Sequence, residues 1–351
     1  MIEWKLISGK TGYIKLDDSL VVTYDINGRD MVMIDSGYRE SPELLAWLRE
    51  EGKRVAAVLC THIHVDHIGN NGMLQREFGA KIFVTEREYN VQQERFSSDD
   101  KISFEWMGRE KYFFGDSGRY ETTVIPPSDS ARKNTLAICG ADFEIVPLPG
   151  HSPDHVGFAT PDGVLHIGDA MMSDMVLKKS KVPYEMNISK TLNTLEKIAR
   201  LDHPYLVASH RAVIPNEDIA AIAQANIDYH NDMLDEIERR LNGWQEMDKF
   251  ITEVIGNRGV HMRLTRNIVW LPVAVKSYID HLIREGRVEC RFDSVFARSR
   301  RMKTEQDGAP NVKIDKNVAD FVKNETGYDA YNNKYDKVYI KRTGKSNSAG
   351  I

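Results

Sequence analysis

The segment at residues 61–67 reads THIHVDH and directly follows the apolar run VAAVL at residues 55–59. A short apolar run that ends in polar residues is typical of a buried strand. His62 and His64 alternate by two after that strand, so their side chains can point the same way. Imidazole and carboxylate are ligands that zinc takes at about 2.0–2.2 Å, and a catalytic site keeps one position open for water. The segment therefore predicts a metal-binding loop at the end of a strand.

Further segments along the chain offer matching ligands. They are IDSG at 34–37, PGHS at 149–152, GDA at 168–170 and SH at 209–210. We expect His151 to complete a three-histidine site with His62 and His64. The second set would hold another ion beside the first and comprises Asp66, His67, Asp169 and His210. Asp169 could bridge the two ions, which lie roughly 3.5–4 Å apart in sites of this kind. Strands are predicted at Val55–Cys60, Phe143–Pro147, Val164–Ile167 and Tyr205–Ser209, so each ligand loop follows a strand.

This ordered set resembles the metallo-β-lactamase superfamily, whose αββα hydrolase fold is shared with glyoxalase II, acyl-homoserine lactonases, ribonuclease Z and flavodiiron proteins. The H-x-H-x-D-H signature is complete at residues 62–67, and an early buried aspartate of the family falls on Asp35. The next family ligands fall in order on His151, Asp169 and His210. The resemblance covers about residues 1–215. True β-lactamases commonly carry cysteine where Asp169 stands, so the resemblance does not favour antibiotic hydrolysis.

The remaining histidines need separate readings. His155 begins an apolar run four residues after His151, and we predict a supporting or substrate-facing role for it, with ordinary packing as the alternative. The others are expected to be structural or to lie outside the catalytic domain: His166, His203, His230, His261 and His281.

Length and charge divide the chain. A chain of 351 residues suggests one large domain with an appendage. We predict a catalytic domain at 1–215, a linking helix at 216–242, a winged-helix-like appendage at 243–295 and a polar C-terminal extension at 296–351. Residues 1–242 hold 27 Lys and Arg against 38 Asp and Glu, whereas residues 243–351 hold 20 against 14.

The basic appendage raises the question of nucleic acid. Separate helices are predicted at Thr265–Leu271 and Pro272–Arg284. A binding face should carry a basic stripe, but the second of these helices offers only Lys276 and Arg284 against Asp280. We therefore expect a module for packing or for dimerisation rather than for nucleic-acid binding. The dimerisation alternative would make the protein a homo-oligomer.

A long polar run at residues 90–134 interrupts the catalytic domain and is rich in aromatic residues. Such segments inside compact domains are often lids or binding loops. The alternatives are a surface insertion packed by its own aromatics or an oligomer contact. If the run is a lid, we expect a small-molecule substrate with an apolar or aromatic part.

Composition limits the cellular setting. Charged residues make up 28% and hydrophobic residues 41%, as in ordinary globular proteins, and no apolar run approaches the roughly 18 residues of a membrane span. The three cysteines are scattered, and Met1 leads directly into strand-like sequence without a signal peptide. We therefore expect a cytoplasmic protein that does not enter membranes.

Together these patterns predict an α/β fold: an αββα sandwich with a smaller, mainly helical C-terminal region. The predicted function is hydrolysis of an ester, thioester or lactone by a metal-bridging hydroxide between two zinc ions, with iron or manganese as alternatives. Asp66 would ligate and orient the nucleophile, and His155 or a metal-bound water would protonate the leaving group. A phosphodiesterase or nuclease using the same site, and a non-catalytic metal-binding regulator, remain open at this stage.

Overall fold

A computed structural model describes residues 2–97, 120–126, 134–260, 265–293 and 337–343. The chain packs into two units, residues 1–231 and residues 232–351. The first unit contains the predicted metal ligands. Some predictions concern residues outside this described part. They cover most of the predicted lid and much of the C-terminal extension, at residues 98–119, 127–133 and 294–336.

The first sheet of the first unit has seven strands in sequence order. They are β1 (Trp4–Ser8), β2 (Thr11–Leu16), β3 (Ser19–Asp25), β4 (Asp30–Ile34), β5 (Arg54–Leu59), β6 (Lys81–Thr85) and β7 (Thr122–Ile125). The first four are antiparallel, whereas β4 to β7 are parallel. Parallel neighbours need crossover connections, and the helices lie in them. These are α1 (Pro42–Glu50), α2 (Val65–Ile68), α3 (Asn71–Phe78) and α4 (Glu86–Ser97).

The second sheet has six strands, which also follow one another across the sheet in sequence order. They are β8 (Thr135–Ile138), β9 (Ala141–Pro147), β10 (Val156–Ala159), β11 (Val164–Gly168), β12 (Tyr205–Ala208) and β13 (Ala212–Pro215). All neighbours are antiparallel except β11 and β12, which are connected through α5 (Asp174–Leu177) and α6 (Ile188–Ile198). Helix α7 (Asn216–Arg240) follows β13 and extends past residue 231.

Three apolar cores order these elements into layers. Between the two sheets, Val32 and Leu59 of the first share a core with Phe143 and Phe158 of the second. A core on the other face of the first sheet includes Leu44 and Leu48 of α1 and Leu74 of α3. On the outer face of the second sheet, Leu195 and Ile198 of α6 and Ile219 of α7 join residues of β11 and β12. The first unit is therefore an αββα sandwich, as expected from the sequence.

The loops that carry the predicted ligands meet because backbone hydrogen bonds join the two sheets where these strands end. The amide of Val156 donates to the carbonyl of Thr61 at 3.1 Å, and the amide of Leu20 donates to the carbonyl of Ser209 at 2.7 Å. These bonds join the loop after β5 to the start of β10, and the loop after β12 to β3. Strands β4, β5, β9, β11 and β12 all end at this edge, immediately before the predicted ligand segments.

The second unit contains helices and a small sheet. Helices α8 (Met247–Asn257) and α9 (Thr265–Arg284) accompany an antiparallel sheet of order β14 (Gln245–Glu246), β16 (Lys337–Arg342), β15 (Val288–Asp293). Its buried residues include Phe250, Val254, Tyr278, Leu282 and Ile340. Arg287 pairs with Glu238 at 2.5 Å inside this unit. Its description as a winged helix stays a prediction.

The structure corrects several boundaries. Residues 265–284 form one helix with Pro272 inside it, rather than the two helices predicted at Thr265–Leu271 and Pro272–Arg284. Residues 337–342, assigned to a polar extension, instead form a strand paired with β15, because Ile340 alternates into the buried side of that sheet. Within the run 90–134, residues 90–97 continue α4 and residues 122–125 form the edge strand β7.

Across the part of the chain that the structure describes, we find no helix with the length and apolar character needed to cross a bilayer.

Candidate metal centre

The first ligand cluster is made of imidazoles. Nε2 of His62 lies 2.9 Å from Nδ1 of His64, and Nε2 of His151 lies 3.0 Å from the same atom. His62 and His64 come from the loop after β5, whereas His151 comes from the loop after β9. Three ring nitrogens thus converge, and they all lie within 4.8 Å of one another, close enough to bind one metal ion.

The second cluster adds carboxylates and comprises Asp66, His67, Asp169 and His210. Nε2 of His67 lies 3.6 Å from Oδ2 of Asp66 and 3.4 Å from Oδ2 of Asp169. Nε2 of His210 lies 3.4 Å from Asp66 Oδ2 and 3.3 Å from Asp169 Oδ2. Ligand atoms around a tetrahedral zinc ion with bonds of about 2.1 Å are separated by about 3.4 Å. The spacing of the cluster therefore matches the edges of a zinc-sized polyhedron.

One oxygen belongs to both clusters. Oδ2 of Asp169 lies 3.6 Å from Nε2 of His151, in addition to its contacts with His67 and His210. A carboxylate oxygen between two sets of imidazoles is the arrangement expected of a bridging ligand.

A β-bulge aims Asp169 at this point. The register between β11 and β12 shifts between His166 and Gly168, and Gly168 has a φ of 54°. A bulge bends the strand and re-aims the residue that follows it. A Cβ on Gly168 would lie 2.6 Å from Nε2 of His155 and 2.7 Å from Oγ1 of Thr61. Glycine is therefore required here by both the backbone angle and the close approach.

Three ligand histidines are oriented by bonds from their other ring nitrogen. Nδ1 of His62 contacts Oγ1 of Thr61 at 3.0 Å, and Nδ1 of His151 contacts the carbonyl of Tyr184 at 3.1 Å. Nδ1 of His67 contacts Oδ2 of Asp35 at 2.7 Å. When Nδ1 donates in each case, Nε2 presents a lone pair to the centre, as ligand histidines with supporting partners do.

Asp35 connects several parts of this network. Its Oδ1 accepts from the amide of Thr61 at 2.8 Å, and its Oδ2 accepts from Oγ1 of Thr61 at 2.9 Å. Nε2 of His166 lies 3.3 Å from Oδ2, which gives that histidine the structural place predicted for it. Asp35 has a φ of 63°, in the left-handed region that non-glycine residues rarely occupy. Such strain is maintained only where surrounding bonds over-determine it.

The charges around the second cluster are strongly coupled. Burial acts to lower the pKa of His67, but Asp66, Asp169 and Asp35 outweigh it and hold the pKa well above its ordinary value. Asp169 also raises the pKa of His210, to about 10. The pKa values of Asp66 and Asp169 are lowered, because the neighbouring histidine charges outweigh the effect of burial. In the first cluster, burial and the other histidines lower the pKa values of His62 and His64 well below normal.

The described residues fit divalent ions. Nε2 of His67 and Oδ1 of Asp169 are buried and have no hydrogen-bond partner among the described residues. A buried polar atom without a partner is costly, and a cation would satisfy both atoms. Imidazoles and carboxylates are ligands for zinc, and imidazoles also suit iron and other transition metals. His62, His64 and His151 would hold one ion and Asp66, His67, Asp169 and His210 the other.

His155 lies behind the centre rather than in it. Its side chain is fully buried, and its Nε2 accepts a hydrogen bond from the amide of Asp169 at 3.1 Å. Burial, followed by the charge of His151, lowers the pKa of His155 to about 3. A neutral, enclosed imidazole that accepts a backbone bond does not suit the predicted role of proton donor to a leaving group. Its geometry suits the other predicted role, that of a residue supporting a ligand.

Sequence reasoning missed Glu88, a buried carboxylate of α4. Oε1 of Glu88 accepts from Oγ of Ser152 at 2.7 Å and from the amide of Asp154 at 2.8 Å. Burial, the largest influence, raises the pKa of Glu88. The residue holds the loop that carries His151, yet no local pattern in the sequence distinguishes it from other acidic residues on helices.

The remaining histidines are not among the seven predicted ligands, and those that the structure describes contact other groups. The structure places Nδ1 of His166 against the carbonyl of Val207 at 2.9 Å, and Nε2 of His203 lies 3.4 Å from Glu144. His230 is buried, and burial lowers its pKa. His281 pairs with Glu285 at 3.3 Å inside the second unit. His261 lies outside the described residues.

Comparisons with known proteins agree with this geometry. The family model described as "Metallo-beta-lactamase superfamily" matches residues 17–210. The chain is 26% identical to hydroxyacylglutathione hydrolase GloC of Haemophilus influenzae over 198 residues, which are 56% of this chain and 79% of that protein. It is 24% identical to the hydroxyacylglutathione hydrolase of Synechococcus over 164 residues, 45% of this chain and 51% of that protein. The chain therefore spans only about half the length of some curated relatives.

Solved structures show the same fold. A metallo-beta-lactamase family protein from Thermus thermophilus superposes with a TM-score of 0.58 at 17% identity, covering 83% of this chain and 95% of its own. A beta-lactamase domain protein from Burkholderia ambifaria also gives a TM-score of 0.58, at 15% identity, and covers 82% of this chain and 90% of its own.

The raised pKa values predict how the metal centre responds to acid. Without a cation, His67 and His210 hold protons at neutral pH, and an ion must displace both; among the ligands of the first cluster, only His151 has a raised pKa. Because ligands must be deprotonated to bind, affinity at the second cluster should fall more steeply as pH decreases. Calorimetric titration of the metal-free protein with zinc, in buffers of different ionisation enthalpy, measures the protons released at each step.

The matched variant is His210→Gln. It should lower the number of protons released when zinc binds at the second cluster by about one, because one competing imidazole is gone. Equal pH dependence of the two steps would contradict this account of the charges.

The position of His155 gives a second prediction. His155→Gln keeps a hydrogen-bond acceptor for the Asp169 amide and should retain both ions, whereas His155→Ala removes it and leaves a cavity costing about 2–4 kcal/mol of stability. Because His155 stays neutral at ordinary pH, neither variant should change the shape of the pH–rate profile. Metal content, unfolding by denaturant and pH–rate profiles measure these effects. Loss of one limb of the profile with both ions retained would restore the proton-donor role.

Proposed function

The chain belongs to the metallo-beta-lactamase superfamily, and we propose that it is a two-metal hydrolase of a carbonyl ester-type bond, with zinc as the ion. The observation that carries the proposal is the position of Asp169. Its Oδ2 lies 3.3 to 3.6 Å from ring nitrogens of His67, His151 and His210, which belong to different clusters. A shared oxygen of this kind supports two adjacent ions rather than two independent sites.

Among ester, thioester and lactone, the thioester has additional support. Three of the curated relatives are named hydroxyacylglutathione hydrolases, and an acylated glutathione is chemically a thioester. Identity to them is 23–26%, so we carry over the bond class and not their substrate.

The residues of the centre have distinct tasks in such a reaction. Bound ions would supply Lewis-acid chemistry, lowering the pKa of a water from 15.7 toward about 7 and polarising the carbonyl oxygen. Asp66, whose low pKa keeps it ionised, would accept a hydrogen bond from the attacking water at its carboxylate and orient it. Asp169 would hold the two ligand sets in register, and Asp35 and Thr61 would keep His67 and His62 in the required tautomers.

The leaving group needs a proton from another source than His155. That histidine is enclosed, accepts the Asp169 amide and has a pKa of about 3, so it carries no proton to give at its Nε2. The centre is more open to solvent beside His210, whose side chain is 36% exposed, than beside His67, whose side chain is 1% exposed. Water entering on this side is the donor we propose.

The alternatives draw less support from the described residues. A phosphodiesterase could use the same two ions, and a nuclease would need a basic surface for its substrate. On α9, however, Lys276 pairs with Asp248 at 3.3 Å and Arg284 with Asp280 at 2.7 Å. We therefore propose a small-molecule substrate rather than nucleic acid.

A substrate panel tests the bond class. The zinc-loaded chain should hydrolyse acyl thioesters at least about 10²-fold faster than bis-p-nitrophenyl phosphate, because the centre is proposed to act at carbonyl carbon. Asp169→Asn should lower kcat by about 10²-fold or more and reduce metal content. The matched control is Asp174→Asn, which changes an exposed carboxylate that pairs with Lys178 and should leave both unchanged. Phosphodiester hydrolysis as the dominant activity would overturn the proposal.

A further inference from the structure

A cavity of about 200 Å³ opens beside the metal centre. At one end lie the ligands His151, Asp169 and His210. Most of the remaining wall is apolar, and it is formed by Met171, Met172, Val176, Val182, Pro183 and Tyr184. The polar groups of the lining side chains outside the centre are those of Ser180 and Glu185 and the hydroxyl of Tyr184. The wall therefore joins an apolar chamber to the place where the reacting bond would lie.

The wall is held at both ends by bonds within the first unit. The amide of Met172 donates to Oδ1 of Asn226 at 3.0 Å, and Nδ2 of Asn226 donates to the carbonyl of Met172 at 2.9 Å. The hydroxyl of Tyr229 donates to the carbonyl of Ser180 at 2.8 Å. The amides of Met186 and Asn187 donate to the carbonyl of Gly150 at 3.1 and 3.0 Å. The chamber is thus largely formed before a ligand enters, as specific sites usually are.

The buried carboxylate of Glu185 lies on the His151 side of the chamber and supplies no cation for an anionic chain end. The residue is buried, its Oε2 accepts from Oγ1 of Thr191 at 2.8 Å, and its Oε1 lies 3.9 Å from Nδ1 of His151. Among the described residues that line the chamber there is no lysine or arginine. A carboxylate at the far end of a bound chain would lose its water without gaining a cationic partner, which is costly.

We propose that this chamber receives the acyl group of the substrate, and that the group is a short, uncharged, apolar chain. This inference rests on the proposed hydrolysis of an ester-type bond. The volume is below the roughly 300 Å³ at which drug-sized pockets begin. At the ~30 Å³ that one water occupies in the liquid, the chamber holds about six heavy atoms. The leaving group, which is larger in a glutathione-type thioester, lies outside the chamber on the solvent side.

The first test is a series of thioesters with one leaving group and acyl chains from acetyl to decanoyl. On the zinc-loaded full chain, kcat/KM should rise about fourfold per methylene up to about hexanoyl and then level off or fall, because each buried methylene adds a similar free energy until the chamber is full. Adipoyl, which ends in a carboxylate, should be at least about tenfold poorer than hexanoyl. A flat series, or adipoyl equal to hexanoyl, overturns the inference.

Two matched variants locate the effect. Val176→Phe fills the chamber and should lower the ratio of kcat/KM for hexanoyl to kcat/KM for acetyl at least about tenfold, at unchanged metal content. Met175→Phe makes the same type of change at a neighbouring exposed residue that does not line the chamber, and it should change neither substrate. Equal losses for acetyl and hexanoyl in Val176→Phe would contradict a role for the chamber in binding the chain.

A binding measurement separates failure of the inference from failure of the proposed function. Calorimetry on the zinc-loaded chain should show hexanoate binding at least about tenfold tighter than acetate, with the preference lost in Val176→Phe. If no ester or thioester is hydrolysed but this preference holds, the proposed function is wrong and the chamber still binds apolar chains. If hydrolysis occurs without any preference in binding or turnover, the function stands and the inference is wrong.

Discussion

The centre of this protein depends on one electrostatic constraint, which is the convergence of ring nitrogens and carboxylates on one small buried space. Ring nitrogens of His62 and His151 each come within 3.0 Å of Nδ1 of His64, and Nε2 of His67 and Oδ1 of Asp169 are buried without hydrogen-bond partners among the described residues. Burial makes such unpaired groups expensive. Cations would reconcile the arrangement, and the oxygen of Asp169 that lies near ring nitrogens of both clusters supports the proposal of two adjacent ions.

Much of the surrounding structure serves to hold this unfavourable arrangement in place. The bulge at Gly168 aims Asp169, His155 accepts its amide, and Asp35 holds His67 and Thr61 from a left-handed backbone conformation. These contacts are made by strand ends on two sheets that share an apolar core containing Phe143 and Phe158. A packed core resists small shifts. The rigidity of the sandwich is therefore what positions the ligand atoms to the accuracy that a metal site needs.

The convergence of the seven predicted ligands could be predicted from the sequence because its signals are local and ordered. Each of the seven residues follows an apolar run, and the structure brings all seven into two adjacent clusters. The supporting residues could not be predicted, because Glu88 contacts Ser152 and Glu185 contacts His151, and both contacts join residues distant in sequence. The surroundings of His155 do not suit the proton-donor role expected of it, and they could not be predicted for a similar reason: its burial and its bond to Asp169 depend on the way the sheets pack.

Secondary structure followed the same division. The strands that precede ligands agree with their apolar runs to within a residue or two, whereas Pro272 was wrongly expected to separate two helices that the structure joins. The strand at residues 337–342 was not predicted. Its pairing partner begins at residue 288, and only the fold brings the two strands together.

Anomalous diffraction at the zinc edge from crystals of the zinc-loaded chain tests the central claim most directly. The account predicts two peaks about 3.5–4 Å apart, one among His62, His64 and His151, the other beside Asp66, His67 and His210, and both in contact with the carboxylate of Asp169. A single peak that Asp169 does not touch, or two peaks that share no ligand, would contradict it.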